Sequence, residues 1–572
     1  MKSDGAAAHG GGLVSLIVDE ERAAVLKEIS MNLPDITLND HHLCDLELLA
    51  TGTYSPLEGF MVRADYESVL DRMRIQDNTL WPLPICLDVS ETKARSLEAG
   101  QSVALRDPEG FLLAVMHIED IWPVHKEKMI QHLFETDDQA HPGIYHILNE
   151  IRDYYVGGRI EVISLPLHYD FRTLRKSPYE VRLEYQKHGW KRIVGYHTSS
   201  VMHRPQFEVT IEAMRQAKAN LLLLPIVGVA RSEDFDYYTR VRCYKEVIKY
   251  YPPDTVLQSL LPQYMRLAGT RETILNAIVL KNYGCTHFVV YPEHAVQDNA
   301  LETGGQKLQA NVEARDLVQE SARELGIDII RFEEMAYLPF EDKHQFIDQV
   351  PEGTQTISMN GVDIRNRIRT GRVVPGWASF PQVLDELRKA YPPPNKQGFT
   401  LFFTGLSGAG KSTVAKVVFS KMLELGERPV TLLDGDIVRQ NLSSELSFSK
   451  EHRDINVRRI GFVASEITKN RGIAICAPIA PYENTRKEIR AAIEATGGFL
   501  EIHVATPLQE CEKRDRKGMY AKARAGLIKG YTGIDDPYEV PSSPELRIDT
   551  TALTPDEAAH EILLFLGQKG YI

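Results

Sequence analysis

Short apolar runs separated by turn residues dominate the first part of the chain and predict β-strands there. Such runs occupy residues 81–89, 101–118 and 158–167, and the Asp-Pro-Glu-Gly segment at 107–110 predicts a hairpin turn. From residue 166 to 390, five apolar runs alternate with helix-like segments. This alternation predicts βαβ units and a doubly wound parallel sheet, which binds ligands at the carboxyl ends of its strands.

A proline-rich segment at residues 391–397 marks the clearest boundary in the chain. Its three consecutive prolines exclude helix and favour an extended connector. An apolar run, FTLFFT, follows and predicts a buried strand. We therefore expect an α/β multidomain protein with a mainly-β domain over residues 1–165, an α/β domain over 166–390, a linker over 391–397 and a third domain over 398–572.

Composition excludes some classes of function. The chain is 43% hydrophobic and 25% charged, with a net charge of −13, so nucleic acid is not expected as a partner. The six cysteines form no CxxC pair, which favours free thiols in a reducing compartment. No secretion signal is evident, and no apolar stretch reaches the about 18–20 residues that span a bilayer. A cytoplasmic protein without a membrane partner is expected.

The strongest chemical signal is the segment GLSGAGKST, which lies between a predicted strand and a predicted helix. In this order, glycines let backbone N–H groups surround a phosphate, Lys411 places a cation on the β- and γ-phosphates, and Ser412 ligates Mg²⁺. The sequence predicts that ATP, with Mg²⁺ as cofactor, is bound by Gly405, Leu406, Ser407, Gly408, Ala409, Gly410, Lys411, Ser412 and Thr413.

Acidic and basic residues follow this segment in a pattern that suits phosphoryl transfer. Asp434 and Asp436 come after the next apolar run, where one could orient Mg²⁺ and the other could accept a proton from an attacking hydroxyl. The alternative is that both only cap a helix. Arg453 and Asn456 share one side of a predicted helix and suit an anionic substrate. Residues 511–541 are basic and glycine-rich, which suits a mobile lid.

These motifs carry a specific resemblance. Residues 398–572 resemble adenylylsulfate kinase (APS kinase) in GLSGAGKST, DGDIVR, the run FSKEHRDINVRR, PIAPY and the segment KRDRKGMYAKARAGLIKGYTGIDDPYE. The resemblance implies transfer of the γ-phosphoryl of ATP to the 3′-hydroxyl of adenosine 5′-phosphosulfate (APS), which gives PAPS, in sulfate activation. It makes Asp436 the base, with Lys411 and Asp434 also catalytic. It assigns APS binding to Arg439, Phe448, Arg453, Asn456, Ile479, Lys529 and Tyr531, with Phe448 and Tyr531 enclosing the adenine.

Residues 10–390 resemble ATP sulfurylase, through LCDLELLATGTYSPLEGFM, LAGTRETILNAIVLKNYG and IRTGRVVPGWASFPQ among other segments. The resemblance implies a PUA-like N-terminal domain, a Rossmann-like nucleotidyltransferase domain and, because both families self-associate, a homo-oligomer. The family's catalytic turn Q-T-R-N-P-x-H-x-x-H falls on residues 197–206, and its G-R-D-H-A-G-P motif falls on 291–297. The site is degenerate here: Thr198 and the histidines His203 and His294 keep the family's residue, but most of the other motif positions differ. The residues of this degenerate site are His197, Ser199, Ser200, His203, Gln206 and His294.

The arginine that is replaced by Ser199 matters most, because a doubly charged sulfate needs a bidentate cation that a hydroxyl does not supply. We therefore expect an impaired sulfurylase site beside an intact kinase. Three alternatives stay open at this point. The chain could be fully bifunctional, with Arg204, Arg231 or Arg271 supplying the missing cation. It could be a nucleotide-sensing regulatory or assembly protein. His203 and His294 could each be ordinary core histidines.

Overall fold

A computed structural model describes residues 7–134, 136–228, 235–291, 307–447 and 449–572, with only the backbone of 307–315 and Asp436. The chain divides into two compact units. The first comprises Met1–Gly361 and Pro375–Glu386, and the second comprises Val362–Val374 and Leu387–Ile572. Among the described residues, no helix has both the length and the apolar character needed to cross a membrane.

The first part of unit one is built on a six-stranded sheet. Its strands are β1 Asp35–Thr37, β2 Gly59–Phe60, β3 Leu87–Val89, β4 Ser102–Arg106, β5 Leu112–Pro123 and β6 Tyr154–Val162. Their order is β1-β4-β5-β6-β2, and β3 also pairs with β6. The predicted hairpin turn is confirmed, because it joins the antiparallel pair β4 and β5.

Helices pack around this sheet over a core that includes the fully buried Tyr54 and Trp81. They are α1 Glu20–Ser30, α2 Asp40–Ala50, α3 Arg63–Arg72, α4 Glu91–Ala94, α5 Lys126–Leu133 and α6 Pro142–Asn149. Helix α2 begins with a capping box in which the Asn39 side chain accepts from the His42 N–H. Its residues from Asp45 to Ala50 are all buried.

The second part of unit one holds the predicted parallel sheet. All five apolar runs are strands: β7 Ile193–Thr198, β8 Asn220–Pro225, β9 Val256–Gln258, β10 His287–Val290 and β11 Asp328–Arg331. They pair in parallel in the order β11-β10-β7-β8-β9. The accompanying helices are α7 Pro178–His188, α8 Arg204–Ala217, α9 Tyr237–Ile248, α10 Gly269–Asn282 and α11 Lys307–Leu325. A small antiparallel pair, β12 Met335–Leu338 and β13 Lys343–Phe346, follows.

Unit two contains a second parallel sheet. Its central strand, β14, lies between two strands that come later in the chain. Its strands are β14 Phe399–Thr404, β15 Val430–Asp434, β16 Ile473–Ala477, β17 Gly498–Val504 and β18 Leu546–Ile548. The order is β15-β16-β14-β17-β18. Every residue of β14 is buried, as expected for a central strand covered on both faces. The strand order therefore reverses at β14, where such sheets bind ligands.

Helices cover both faces of this sheet and form two hydrophobic clusters on its sides. Two helices precede it along the chain, α12 Gly361–Arg369 and α13 Pro381–Ala390. The others are α14 Lys411–Leu425, α15 Gly435–Leu442, α16 Lys450–Lys469, α17 Glu483–Glu494, α18 Leu508–Arg514, α19 Met519–Arg524 and α20 Pro555–Gln568. The loops at the carboxyl ends of β14, β15 and β16 converge on one edge and form the candidate site.

Candidate active site

The turn between β14 and α14 has a backbone that only glycine adopts readily. Gly405, Gly408 and Gly410 have φ values of 147°, 75° and 104°. A Cβ on Gly405 would lie 2.5 Å from the carbonyl oxygen of Val504, so strand β17 leaves no room for a side chain there. The glycines are therefore required by backbone geometry and by close packing of the turn.

Side chains from neighbouring strands fix the back of this turn. The carbonyl oxygen of Ala409 accepts hydrogen bonds from the hydroxyls of Thr506 at 3.0 Å and Thr550 at 2.8 Å. In the described part of the chain, the backbone N–H groups of Gly408, Gly410 and Lys411 have no protein acceptor. Open N–H groups at a helix N-terminus are the arrangement that binds a phosphate.

Lys411 is buried at the first position of α14. Its ammonium donates to the carbonyl oxygens of Gly405 at 2.9 Å and Leu406 at 2.8 Å. Burial lowers the pKa of Lys411 to about 8, and the nearby Cys511 and Asp434 oppose this shift. The ammonium is thus held over the turn by weak acceptors that a phosphate would replace.

The two predicted carboxylates begin α15. Asp434 is the N-cap residue, but its side chain makes no cap hydrogen bond. Instead, its Oδ1 accepts from the hydroxyl of Ser412 at 3.1 Å. The Asp434 side chain therefore does not cap α15, which was the alternative interpretation. The backbone of Asp436 lies in the first turn of α15, and its side chain lies outside the described residues.

The basic residues that are predicted to bind the substrate lie on two helices at the same edge of the sheet. Arg439 of α15 donates to the carbonyl oxygens of Leu446 at 3.4 Å and Ser447 at 3.3 Å. Arg453 of α16 donates to Asp536 Oδ2 at 2.8 Å. Asn456, one turn further along α16, is buried, and its Oδ1 has no hydrogen-bond partner among the described residues.

The predicted lid, residues 511–541, begins within α18, continues through α19 and approaches the turn at 405–410. Tyr531 packs edge-on against Tyr520 with ring centroids 5.1 Å apart, and the Tyr520 hydroxyl donates to the carbonyl oxygen of Ser407 at 2.8 Å. The carbonyl oxygen of Ile479 accepts from the hydroxyl of Thr404 at 2.7 Å. Lys529 is exposed. Phe448, which the sequence assigned to the adenine, lies outside the described residues.

In the second candidate turn, between β7 and α8, neighbouring side chains form hydrogen bonds with the residues of the turn. His197 is buried and its Nε2 lies 3.3 Å from Gln263 Oε1. The carbonyl oxygen of Ser199 accepts from the guanidinium of Arg240, and that of Ser200 accepts from the hydroxyl of Tyr244. The backbone oxygens at the two positions where the family has arginine and asparagine are thus already bonded.

The two other residues of this turn that the sequence singled out, His203 and Gln206, bond to neighbouring protein groups. The Nδ1 of His203 lies 2.8 Å from the hydroxyl of Ser379, and burial lowers the pKa of His203 to about 4. Gln206 accepts from the His203 N–H through Oε1 at 3.1 Å, which satisfies one donor at the start of α8. His294 lies outside the described residues.

A small cavity of about 30 Å³ adjoins this turn. The described residues that line it include no arginine or lysine: they are His197, Thr198, Ser199, Ile226, Met265, Leu267, Gly269, Glu272, Thr273 and Asn276. Two arginines considered as replacements have other partners. Arg204 donates to the carbonyl oxygen of Gly376 at 2.7 Å, and Arg271 donates to the carbonyl oxygens of Val69, Leu70 and Pro82. Arg231 lies outside the described residues.

Three known protein families match three successive parts of this chain. The adenylylsulphate kinase profile matches residues 397–549, the ATP-sulfurylase profile matches 172–390, and the PUA-like domain profile matches 6–165. A sulfate adenylyltransferase of Mycosarcoma maydis is 43% identical over 573 residues, covering 99% of this chain and 100% of the relative. The corresponding Gibberella zeae protein is 42% identical, covering 99% of each chain.

This chain belongs to the family of fused ATP sulfurylase and APS kinase proteins. A solved structure described as a hexameric APS kinase from Thiobacillus denitrificans is 40% identical to it. That structure superimposes with a TM-score of 0.82 and covers 99% of this chain and 100% of the other. The PUA-like domain, the nucleotidyltransferase region and the P-loop domain with its parallel sheet, all expected from the sequence, are confirmed.

Sequence reasoning did not assign several residues that organise the kinase domain. Asp536 and Tyr482 bond to each other at 2.8 Å and both bond to Arg453, which also donates to Thr532 at 2.6 Å. Arg486 is 2% exposed and donates to the carbonyl oxygens of Ala480 at 2.8 Å and Glu539 at 2.9 Å. Asp536 and Tyr482 lie within quoted motifs, GIDDPYE and PIAPY, so motif membership was the available signal.

Proposed function

We propose that residues 398–572 transfer the γ-phosphoryl of ATP to the 3′-hydroxyl of APS, giving PAPS and ADP. The observation that supports this most is the convergence of one buried lysine and an Asp–Ser pair on an open phosphate turn. Lys411 and Ser412 begin the helix α14 that follows the turn, and Asp434 reaches Ser412 from the end of strand β15. Phosphoryl transfer depends mainly on such positioning and on charge stabilisation.

The oxygen donors of the site fit Mg²⁺, the cofactor we propose for ATP. The hydroxyl of Ser412 and the carboxylate of Asp434 are hard ligands of the type that Mg²⁺ takes together with phosphate oxygens. When bound, Mg²⁺ neutralises charge on the β- and γ-phosphates. In this proposal, the nine residues 405–413 hold the phosphates of ATP.

In the proposed reaction, Asp436 accepts the proton of the 3′-hydroxyl as that oxygen attacks the γ-phosphorus. The bond to the β,γ-bridging oxygen breaks, and ADP leaves with that electron pair. The Lys411 ammonium exchanges its hydrogen bonds to the carbonyl oxygens of its own turn for bonds to the transferring phosphoryl oxygens, because these carry more negative charge. Asp434 keeps the Ser412 hydroxyl oriented.

The phosphosulfate of APS is proposed to bind between α15 and α16. Arg439, Arg453 and Asn456 provide its donors, and the buried Asn456 can turn its amide toward the anion. Phe448 and Tyr531 are proposed to enclose the adenine, with Ile479 and Lys529 completing the pocket. Arg453 must then exchange Asp536 for the substrate, since the carboxylate now occupies its fork at 2.8 Å.

The direct test is product identification with purified full-length protein, APS and ATP labelled at the γ-phosphate. The proposal predicts that label appears in PAPS, with one ADP formed for each PAPS. Label released only as inorganic phosphate, or ADP formation that does not depend on APS, would contradict it.

The sulfurylase-like region is proposed not to catalyse sulfate adenylation. The guanidinium of Arg240 already donates to the carbonyl oxygen of Ser199, and the described residues that line the cavity include no arginine or lysine; both observations support this. The cavity of about 30 Å³ is also about a tenth of the smallest usual ligand pocket. The test is pyrophosphate release from ATP with sulfate present, with inorganic pyrophosphatase as a coupling enzyme. Sulfate-dependent release would overturn the proposal.

A second candidate is a fully bifunctional enzyme, and the similarity to proteins named sulfate adenylyltransferase favours it. In that case the same assay shows sulfate-dependent pyrophosphate release. A nucleotide-sensing role without catalysis has less support, because it does not require the Ser412–Asp434 pair that we propose for Mg²⁺.

We also propose the domain limits 1–165, 166–390, 391–397 and 398–572, and a homo-oligomer. The relative described as hexameric, which this chain matches over 99% of its length, supports self-association. Light scattering coupled to size exclusion should give a multiple of the 64.6 kDa protomer mass. A mass of one protomer at micromolar concentration would contradict self-association.

A further inference from the structure

A second group of chemically active side chains lies in unit one, on two helices that have no part in either candidate turn. His41 is the second residue of α2, His146 is near the end of α6, and Glu150 is the residue that ends α6. One ligand atom from each lies within 4.8 Å of the other two. His41 and His146 are half-buried, whereas Glu150 is exposed.

The contacts of the two imidazoles fix their positions. His41 stacks on the ring of Tyr264 with centroids 3.9 Å apart, and its centroid lies 4.6 Å from that of His146. The His146 Nδ1 lies 2.8 Å from Glu150 Oε2. His42, the neighbour of His41, is engaged elsewhere with Asp88 at 2.7 Å. Thus the rings of His41 and His146 and the carboxylate of Glu150 converge.

We propose that His41, His146 and Glu150 bind a divalent transition-metal ion of the zinc class. Two imidazoles with one carboxylate are a donor set that suits Zn²⁺ and related ions and leaves a coordination position for water. Mg²⁺ is a poor fit, since it prefers oxygen ligands. The site is therefore chemically distinct from the proposed Mg²⁺ ligands Ser412 and Asp434.

The geometry requires only a small closure. Tetrahedral zinc at about 2.0–2.1 Å from each ligand places ligand atoms about 3.3–3.4 Å apart. Since the present limit is 4.8 Å, the widest pair must approach by at most about 1.5 Å. The His146 Nδ1 and Glu150 Oε2 atoms, now 2.8 Å apart, must separate slightly to bind the same ion. The Glu150 side chain is 53% exposed, so its rotamer can change without disturbing the core.

The surrounding charges favour a cation at this position. Asp45 lies one turn after His41 on α2, and within the described part of the chain its buried Oδ1 has no hydrogen-bond partner. The nearby cation Arg266 is neutralised by Asp45 Oδ2 at 2.6 Å and donates its backbone N–H to Glu272. The net balance of Asp45, Glu150, Glu272 and Arg266 is negative.

Cobalt titration of chelator-treated, full-length protein tests the site. We expect one Co²⁺ to bind with visible d–d absorption and to be displaced by Zn²⁺ but not by excess Mg²⁺. His41→Ala and Glu150→Gln should each weaken this binding at least about tenfold. His132→Ala is the matched control, because His132 is also a helical histidine near a carboxylate, Asp71, and should leave binding unchanged.

Thermal unfolding provides a second readout that does not depend on kinase activity. A fixed concentration of Zn²⁺ should raise the Tm of the wild-type and His132→Ala proteins by similar amounts, and that of Glu150→Gln by clearly less. Glu150 is exposed, so this variant keeps the test valid even if His41→Ala fails to fold. Equal cobalt stoichiometry and affinity in the wild-type and Glu150→Gln proteins would overturn the proposal.

Discussion

The two strand-to-helix turns of this chain, 404–411 and 198–204, have the same place in their sheets but differ in their hydrogen bonds. Each follows a parallel strand at the carboxyl edge of its sheet and begins a helix of 14 or 15 residues. In the first, glycines leave backbone N–H groups open beneath a buried lysine. In the second, side chains of the same region bond the turn's carbonyl oxygens and helix start.

Two turns with the same place in their sheets can therefore differ in the hydrogen-bond donors that they offer to an anion. An anion site needs donors without partners and a nearby cation, both of which cost stability unless ligand binding compensates. At the β7–α8 turn, Arg240 and Tyr244 donate to the carbonyl oxygens of Ser199 and Ser200, and the His203 N–H donates to Gln206, so these donors already have partners within the protein. A matched set of variants can therefore test whether only the first turn supports chemistry.

The largest effect is expected for Lys411→Ala. Removal of the ammonium that would neutralise the transferring phosphoryl should lower the rate of PAPS formation by about 10³-fold or more. Lys416→Ala is the control, since Lys416 is exposed on the same helix and should keep wild-type activity. Substantial PAPS formation by Lys411→Ala would remove this turn from the mechanism.

Replacement of the proposed base should be nearly as damaging, but only to chemistry. Asp436→Asn should lower kcat for PAPS formation by about 10²–10⁴-fold, because the amide cannot accept the hydroxyl proton. Binding of ATP, followed by calorimetry, should change little. Unchanged turnover would show that another group accepts the proton.

Arg453→Lys should affect the use of APS more than that of ATP. A lysine cannot reproduce the planar fork that now bonds Asp536, so kcat/KM for APS should fall about 10–100-fold. Arg458→Lys is the matched control on the same helix, where the arginine pairs with Glu488 on the surface. If both variants behave alike, Arg453 is not an APS ligand.

The depressed pKa of Lys411 gives a pH-dependent prediction. In the free enzyme this lysine loses its proton as the pH rises through about 8, compared with an ordinary 10.5, because it is buried. Burying the ammonium therefore costs stability below pH 8, and this cost disappears between pH 8 and 10.5. ATP affinity should fall about tenfold between pH 7 and 9, since only the protonated form attracts phosphate.

The control for this pH effect is Lys411→Arg, which stays protonated throughout the range. Calorimetric titration of both proteins with ATP at each pH is the measurement. A wild-type affinity that does not change up to pH 9.5 would show that Lys411 keeps its proton.

The smallest effect is expected at the second turn. Ser199→Ala keeps the carbonyl that Arg240 bonds and removes only a hydroxyl, so PAPS formation should stay within about twofold of wild type. Steady-state kinetics with APS and ATP provide the comparison. A drop of tenfold or more would mean that this turn contributes to the kinase reaction.

The sequence predicted the parts of the structure whose cause is local. The five runs that became β7–β11 are apolar, and the phosphate turn is specified by its own glycines and lysine. Helix α2 has no clear apolar stripe, because most of its residues are buried. The pattern of apolar positions therefore does not predict this helix.

Contacts between distant segments could not be predicted in the same way. Arg453 bonds Asp536, 83 residues later, and Ala409 is fixed by Thr550, 141 residues later. Each depends on the assembled sheet, which sequence periodicity does not encode. Likewise, His41 and His146 meet only because α2 and the end of α6 pack near Tyr264.

The most direct test of the central claim is a pair of assays on one purified sample of the full chain. The first follows ATP-dependent conversion of APS to PAPS, and the second follows ATP formation from APS and pyrophosphate. We predict PAPS formation that is lost in Lys411→Ala, with no ATP formation above that of a blank. ATP formation that persists in Lys411→Ala would contradict the account, since the second turn would then be catalytic despite its internal hydrogen bonds.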